Sequence, residues 1–156
     1  MTEINTGLAK VQYASLDDLF AVNTDDRVRG DITVQTIDGK YIKLPMKSVD
    51  AEVEQKIRKT STTKIPQKKG MPPLEHMNEA KYNALMIAAA TDETKTNINW
   101  SSPELQKKVG AAVPNPEFIV PKILSLGGIV KATQFIVELS GLGQDSMEEE
   151  IESVKN

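Results

Sequence analysis

The sequence has no cysteine, one histidine and one tryptophan, and aromatic residues make up only 4 % of its 156 residues. The absence of cysteine excludes disulfides, thiolate zinc sites and a cysteine nucleophile. With so few aromatic side chains, the core must be built from aliphatic residues and methionine. No apolar run approaches the roughly 20 residues needed to cross a bilayer, so we expect no contact with a membrane.

The charge balance makes nucleic acid and anionic lipid less favourable partners. The formal net charge is −3 and the isoelectric point about 5.3, which gives no general attraction to nucleic acid or to anionic lipid. The first residues lack the basic and then apolar pattern of a secretory signal. These features fit a cytoplasmic protein with no general affinity for nucleic acid or membranes.

No pattern of catalytic or ligand-binding residues is visible. His76 follows a Pro-Pro pair and has no carboxylate at helical spacing, so we interpret it as a surface histidine. The glycine pair 127–128 and the glycines of 141–143 lack the flanking residues of a phosphate-binding loop. We therefore predict a protein that is not an enzyme and has no catalytic residues, no cofactor and no metal site.

The N-terminal half predicts a short helix capped by Ser15, with Leu16, Leu19 and Phe20 on one apolar face, and then a β-hairpin. A two-residue turn in this hairpin would pair Val34 with Lys43 and place the apolar residues of the two strands on opposite faces.

A three-residue loop at 37–39, with Gly39 in the left-handed region, pairs Val34 with Ile42 and gives a single apolar face. We predict this second register, with Pro45 ending the second strand and Ser48 capping the next helix.

The C-terminal half is predicted to be mostly helical, which makes the fold class α+β with a small antiparallel sheet. Helix starts are predicted at Asn78, Ser102 and Asn115, each a strong N-cap residue. Residues 115–143 are the most apolar stretch and should supply much of the core. Within it, Pro121 predicts a kink and Gly127-Gly128 a break.

These patterns divide the chain into an N-terminal part, 1–59, a flexible basic linker, 60–73, and a helical C-terminal part, 74–156, within one compact domain overall. The basic run from Lys56 to Lys69 is interpreted as a solvated loop, with docking onto an acidic partner or nucleic-acid binding as alternatives. Trp100 either packs on the helix that follows it or anchors a partner.

The order of motifs in the C-terminal half resembles the XkdN-like tail assembly chaperones of long-tailed phages and prophages. The resemblance covers roughly the last half of the chain and rests on these segments: Tyr82 after Asn78-Glu79, the run 102–108 followed by Gly110, the leucine-rich helix leading into Gly127 and Ile129, Ile136 with 138–141, and an acidic helix ending in Lys155-Asn156.

One departure is Gly128, where the family pattern reads Gly-Glu-Ile. Losing that glutamate removes a capping box with Ser125, so we expect a looser helix start.

The resemblance implies a non-enzymatic protein that binds the tape measure protein and keeps it soluble before the tail tube polymerises around it. It also implies action in the host cytoplasm, absence from the mature virion, and further partners: a longer frameshifted form of the same chain, the tail tube protein, and a second copy in a homo-oligomer. The alternatives are a structural tail or virion component, and a small regulatory or nucleic-acid-binding protein that uses the basic run.

A groove for an amphipathic helix needs apolar surface with a polar rim. We predict partner-binding residues on the C-terminal helices, where the apolar side chains exceed what a small domain needs. The candidates are Phe118, Ile119, Ile136, Met147, Ile151 and Val154.

Overall fold

The structure, a computed structural model, describes residues 13–142 and combines helices with two separate antiparallel hairpins, which confirms the α+β fold class. In chain order the elements are α1 Leu16–Phe20, β1 Arg29–Gln35, β2 Tyr41–Lys47, α2 Ala51–Ser61, β3 Thr62–Ile65, β4 Leu74–Met77, α3 Glu79–Ala90, α4 Pro103–Val109, α5 Pro116–Ile123 and α6 Leu126–Leu139. Strand β1 pairs with β2, and β3 pairs with β4.

The first hairpin has the predicted three-residue loop. Val34 lies opposite Ile42, and Ile32 lies opposite Leu44. Gly39 has a φ of 86°, in the left-handed region that glycine adopts without steric strain. Because a shift by one residue would turn every side chain to the other face, this register is what places Val34 and Leu44 in the core.

The prediction that Pro45 ends the second strand is wrong, because β2 continues to Lys47. Each strand of a two-stranded sheet has one free edge, and Pro45 turns its backbone to that edge. Its carbonyl accepts a hydrogen bond from the Asp92 N–H at 2.8 Å, on the side away from β1. The missing N–H of proline therefore removes no bond between the two strands.

Helix α2 is capped by Asp50 and not by Ser48 as predicted. The Asp50 side chain accepts a hydrogen bond from the Val53 N–H at 2.9 Å, and this bond is the main reason why its carboxyl pKa is lowered. The Ser48 hydroxyl instead accepts from the Val28 N–H at 3.2 Å and joins the end of β2 to the residue before β1.

Residues 60–73, predicted as a basic linker, contain regular structure. Helix α2 runs to Ser61, and β3 follows it directly. Strand β3 pairs with β4, with Ile65 opposite Leu74. The β-branched residues of β3 favour a strand, but the strand that pairs with it lies beyond the Pro- and Gly-containing loop 66–73. The local sequence therefore predicts the loop and does not predict the strand pairing.

Helix α3 lies at the centre of the core and contributes buried residues from several sides. The apolar stretch 115–143 packs against it through α5 and α6, and α2 packs against a further side. The first hairpin packs mainly against α6. The core residues are Val34, Leu44, Met46, Ala84, Met86, Ile87, Ala90, Trp100, Ala111, Ile119, Val120, Leu124, Ala132 and Ile136.

The break between α5 and α6 falls at Leu124 and Ser125, not at Gly127-Gly128 as predicted. Ser125 caps α6, because its hydroxyl oxygen accepts a hydrogen bond from the Gly128 N–H at 3.0 Å. Both glycines lie inside the first turn of α6. Pro121 lies inside α5, which ends two residues later at Ile123.

The start of α6 is capped and closely packed, so the expected loosening at Gly128 is not observed. A Cβ atom at this position would lie 2.4 Å from the carbonyl oxygen of Gln35, at the end of β1. The Ser125 hydroxyl donates to the same oxygen at 3.1 Å. Gly128 is therefore the residue that lets α6 contact the first hairpin.

The predicted helix starts at Asn78, Ser102 and Asn115 are confirmed, whereas the predicted acidic C-terminal helix lies outside the described residues. Asn78, Ser102 and Asn115 each accept a backbone hydrogen bond as N-caps. Gly110 and Gly141 follow the ends of α4 and α6 with φ values of 72° and 85°, the left-handed conformation that commonly terminates helices.

Candidate functional site

The described residues offer surfaces and no cluster suited to chemistry. Within 13–142, no group of three or more histidine, cysteine or carboxylate side chains is placed to hold a metal ion. His76 is exposed on β4, opposite Thr63. None of the described helices has the length and apolar composition needed to cross a membrane. The candidate sites are therefore exposed side chains that could contact another protein.

The six predicted partner-binding residues lie in different environments. Phe118 on α5 is 39 % exposed and can be contacted from solvent. Ile119 and Ile136 have no exposed surface and belong to the core, so neither offers a contact in this conformation. Their apolar character was readable from the sequence, but the burial depends on how α5 and α6 pack around α3. The other three, Met147, Ile151 and Val154, lie outside the described residues.

Trp100 packs inside the molecule. It is only 5 % exposed, and its indole N–H donates to the hydroxyl of Thr91 at 2.9 Å. Thr91 in turn donates to the carbonyl of Ile87 at 2.8 Å. Trp100 thus closes the C-terminal end of α3, and a role as an exposed anchor for a partner is not supported.

A group of exposed apolar side chains surrounds α1, before the first hairpin. Five large side chains are each more than half exposed, and we call them the α1 surface: Tyr13, Leu16, Leu19, Phe20 and Val22. The sequence predicted the apolar face of this helix, but not that it would lack a covering element among the described residues. Groups of large exposed apolar side chains mark interaction sites in many proteins.

Helix α1 is held by local hydrogen bonds, since none of its residues is buried. Ser15 and Asp18 form a capping box, in which the Ser15 N–H donates to the Asp18 carboxylate at 2.8 Å and the Asp18 N–H donates to the Ser15 hydroxyl at 3.3 Å. The first of these bonds is the main reason why the pKa of Asp18 is lowered. The helix can therefore present its apolar side chains without burying them.

The segment after α1 is anchored at the start of α2. Arg27 forms an ion pair with Asp50 at 2.8 Å and donates to the carbonyl of Thr24 at 2.9 Å. The end of α6 reaches the same place, because the Val49 N–H donates to the Ser140 hydroxyl at 3.1 Å. The α1 surface is therefore joined to the fold at the N-terminal end of α2, close to the place where the described chain ends.

A second exposed region is the hairpin of β3 and β4, residues 62–77, which we call the basic hairpin. Lys64, Lys68 and Lys69 are exposed and form no ion pair within 4.0 Å among the described residues. The α2 part of the basic run is different, since Lys56 pairs with Glu52 and Arg58 pairs with Glu54. The hairpin also exposes three large apolar side chains, Ile65, Met71 and Leu74.

Comparison with known proteins gives one finding. The model of the phage XkdN-like tail assembly chaperone protein family matches residues 16–155. The curated proteins and the solved structures give no significant match to the chain. The family match extends over the first hairpin as well as the helical half. It includes the α1 surface from Leu16 onward, the basic hairpin and the stretch that carries the motifs described above. Because it spans most of the sequence, the chain belongs to the XkdN-like phage tail assembly chaperone family.

Proposed function

We propose that this chain binds the tape measure protein of its phage and keeps that protein soluble during tail assembly. Membership of the family makes the chain a phage tail assembly chaperone, with protein partners in tail assembly. The observation that carries the finer proposal is the α1 surface, which displays large apolar side chains on a helix that is folded without burying them.

The α1 surface has the chemistry needed to hold an amphipathic helix. Recognition of such a helix depends on apolar side chains that enter a complementary apolar face. Covering one exposed Leu or Phe side chain contributes roughly 1.5–3 kcal/mol before the entropic cost of binding is subtracted. Several such contacts would hold a tape measure helix while leaving it releasable, as a chaperone requires.

Further binding residues belong to the same proposal. Phe118 adds an exposed apolar side chain on α5, and Met147, Ile151 and Val154 stay candidates from the sequence. We further propose action in the host cytoplasm without incorporation into the virion, no catalysis, and contacts with a longer frameshifted form of the chain, with the tail tube protein or with a second copy.

The test is co-expression with the tape measure protein, measuring the soluble fraction of the latter. Chain variants carrying Leu19→Asp and Phe20→Asp should lower that fraction toward the level without chaperone, while their melting temperatures stay unchanged because neither side chain is buried. The matched control is Leu126→Asp, which charges a side chain that is 81 % exposed on α6 and should leave tape measure solubility unchanged.

Two results would count against the proposal. If the doubly substituted α1 variant is folded and tape measure solubility is unaffected, the α1 surface is not the binding site. If the wild-type chain does not raise the soluble fraction at all, tape measure binding itself is refuted. Detection of the chain in purified virions by mass spectrometry would instead identify a structural component.

A further inference from the structure

We propose that the acidic C-terminal segment of the chain, residues 143–156, binds the basic hairpin of the same molecule and covers its exposed apolar side chains. This inference concerns a contact within the free chain, in which Met147, Ile151 and Val154 face the hairpin and are not available to the tape measure protein. It does not depend on the tape measure proposal, which rests on the α1 surface. It rests on three properties: the surface that the hairpin presents, the composition of the segment, and the point at which the described chain ends.

The basic hairpin presents apolar side chains next to a loop that carries lysines, while Lys64 lies opposite Glu75 on the other face of the strands. Ile65 and Leu74 lie opposite each other across the two strands and are 51 % and 57 % exposed. Two of the lysines, Lys68 and Lys69, lie in the loop between the strands. Among the described residues no further strand pairs with either outer edge. A small two-stranded hairpin is marginally stable alone, so a covering segment would stabilise it.

The segment 143–156 has the opposite charge and matching apolar residues. It contains five acidic residues and one lysine, a formal charge of −4, whereas residues 62–77 contain three lysines and one glutamate, a formal charge of +2. The segment also contains three apolar residues spaced four and three apart, Met147, Ile151 and Val154. Charge of opposite sign around an apolar contact favours this pairing and fixes its register.

The segment starts close enough to reach the hairpin. The Ser140 hydroxyl is bonded to the Val49 N–H just before α2, and the hairpin begins where α2 ends. The 11 residues of α2 span about 16 Å at the helical rise, and β3 adds about 13 Å to the loop. Fourteen residues span about 21 Å even at the helical rise and more than 40 Å when extended. A helical segment therefore reaches the start of β3, and a more extended one reaches the loop.

The other exposed apolar region fits this segment poorly. Helix α1 carries Asp17 and Asp18 and has no basic residue in its last turn. Like charges would oppose contact with the acidic segment, since charge repulsion of this kind suppresses wrong partners. Binding to the basic hairpin would leave the α1 surface open.

Because the chain has no cysteine, a single Asn156→Cys substitution accepts one nitroxide label. In a ¹⁵N-labelled chain this label should broaden the amide signals of 62–77 more strongly than those of the loop 37–39 in the first hairpin. The broadening should be lost in Lys64→Glu/Lys68→Glu/Lys69→Glu and weakened at 1 M salt, where charge interactions are screened within about 3 Å. The matched control, Lys107→Glu/Lys122→Glu/Lys131→Glu, changes three exposed lysines elsewhere and should preserve it.

The experiment also separates the competing arrangements. In a second sample, a spin-labelled chain without ¹⁵N is mixed with a ¹⁵N-labelled chain without the nitroxide. This mixture should show no broadening. Broadening in it would mean that the contact forms between two copies and not within one chain. Signals lost around α1 and not in the hairpin, or a hairpin effect that persists in the triple glutamate variant, would overturn the proposal. None of these readouts involves the tape measure protein, so failure here leaves the chaperone function untouched.

Discussion

Gly127 and Gly128 stand side by side in the first turn of α6 but have different surroundings. A Cβ atom at Gly127 would have no other atom within 4 Å, whereas one at Gly128 would lie 2.4 Å from the Gln35 carbonyl oxygen. That oxygen is backbone and already accepts from Ser125, so it cannot move without disturbing the end of β1. One glycine is thus required by packing and its neighbour is not.

We expect Gly128→Ala to lower the free energy of unfolding by roughly 1–3 kcal/mol, the usual range for forcing an extra carbon into a packed site. For a chain of this size each kcal/mol corresponds to about 2–4 °C in melting temperature. The control Gly127→Ala should be neutral or stabilising by up to about 1 kcal/mol, since alanine favours a helix. Denaturant titration of both variants checks this. Equal stability of the two would show that α6 does not contact β1 closely.

At the scale of helices and strands, the sequence predicts the features that depend on residues close together in the chain. The N-caps at Asn78, Ser102 and Asn115 and the register of the first hairpin were predictable, because capping side chains and the loop at 37–39 act within a few residues. The predicted position of the α5–α6 break was wrong because Gly128 does not end a helix. A glycine is needed there for close packing against Gln35, which is far away in the chain.

The second hairpin and the burial of candidate residues also depend on distant contacts. Strand β3 becomes recognisable only through its pairing with β4. In the same way, the apolar residues of α1 and α5 were identified correctly, but only packing decides that Leu19 is exposed and Ile119 is buried. The sequence therefore predicts partner binding on the C-terminal helices, and only the packing identifies the exposed α1 surface.

One hydrogen-bonded cluster joins α2 to α3. The Tyr82 hydroxyl donates to the Glu54 carboxylate at 2.5 Å, and Arg58 donates to the same oxygen at 2.7 Å. The Arg58 guanidinium also lies 5.3 Å from the centre of the Tyr82 ring, within cation–π distance. Burial, followed by the bond to Glu54, raises the pKa of Tyr82 to about 12. Bonds from Arg58 and then Tyr82 lower the pKa of Glu54.

This cluster predicts a stability change at high pH. An unfolded tyrosine loses its proton near pH 10, whereas folded Tyr82 retains it to about pH 12. The contribution of Tyr82 is therefore complete below pH 10 and disappears as the pH rises to 12. The stability advantage of the wild type over Tyr82→Phe should shrink across that interval in urea titrations. Tyr13→Phe, at a fully exposed side chain, is the control. An advantage that persists at pH 12 would refute the assignment.

At the scale of the whole molecule, one core carries two exposed regions. The residue after the end of α3 is bonded to its neighbours and to the first hairpin. Asp92, which has no exposed surface, accepts a hydrogen bond from the Thr94 hydroxyl at 2.6 Å and forms an ion pair with Arg29 of β1 at 3.1 Å. The α1 surface and the basic hairpin contribute no member of the core cluster. A chaperone benefits from this division, because surfaces that bind partners can vary or move without loosening the fold.

Native-state hydrogen exchange should reveal the same division. Amides of α3 near Ile87 should exchange only through global unfolding, which costs about 5–15 kcal/mol for a domain. Amides of α1 should exchange through local opening near zero free energy, because that helix has only its cap to hold it.

Ile87→Ala, which empties a fully buried site, should lower the protection of α3 by roughly 2–5 kcal/mol. The Leu19→Asp/Phe20→Asp variant should leave it unchanged. Protection of α1 equal to that of α3 in the free chain would mean that its apolar side chains are already covered and unavailable to a tape measure helix.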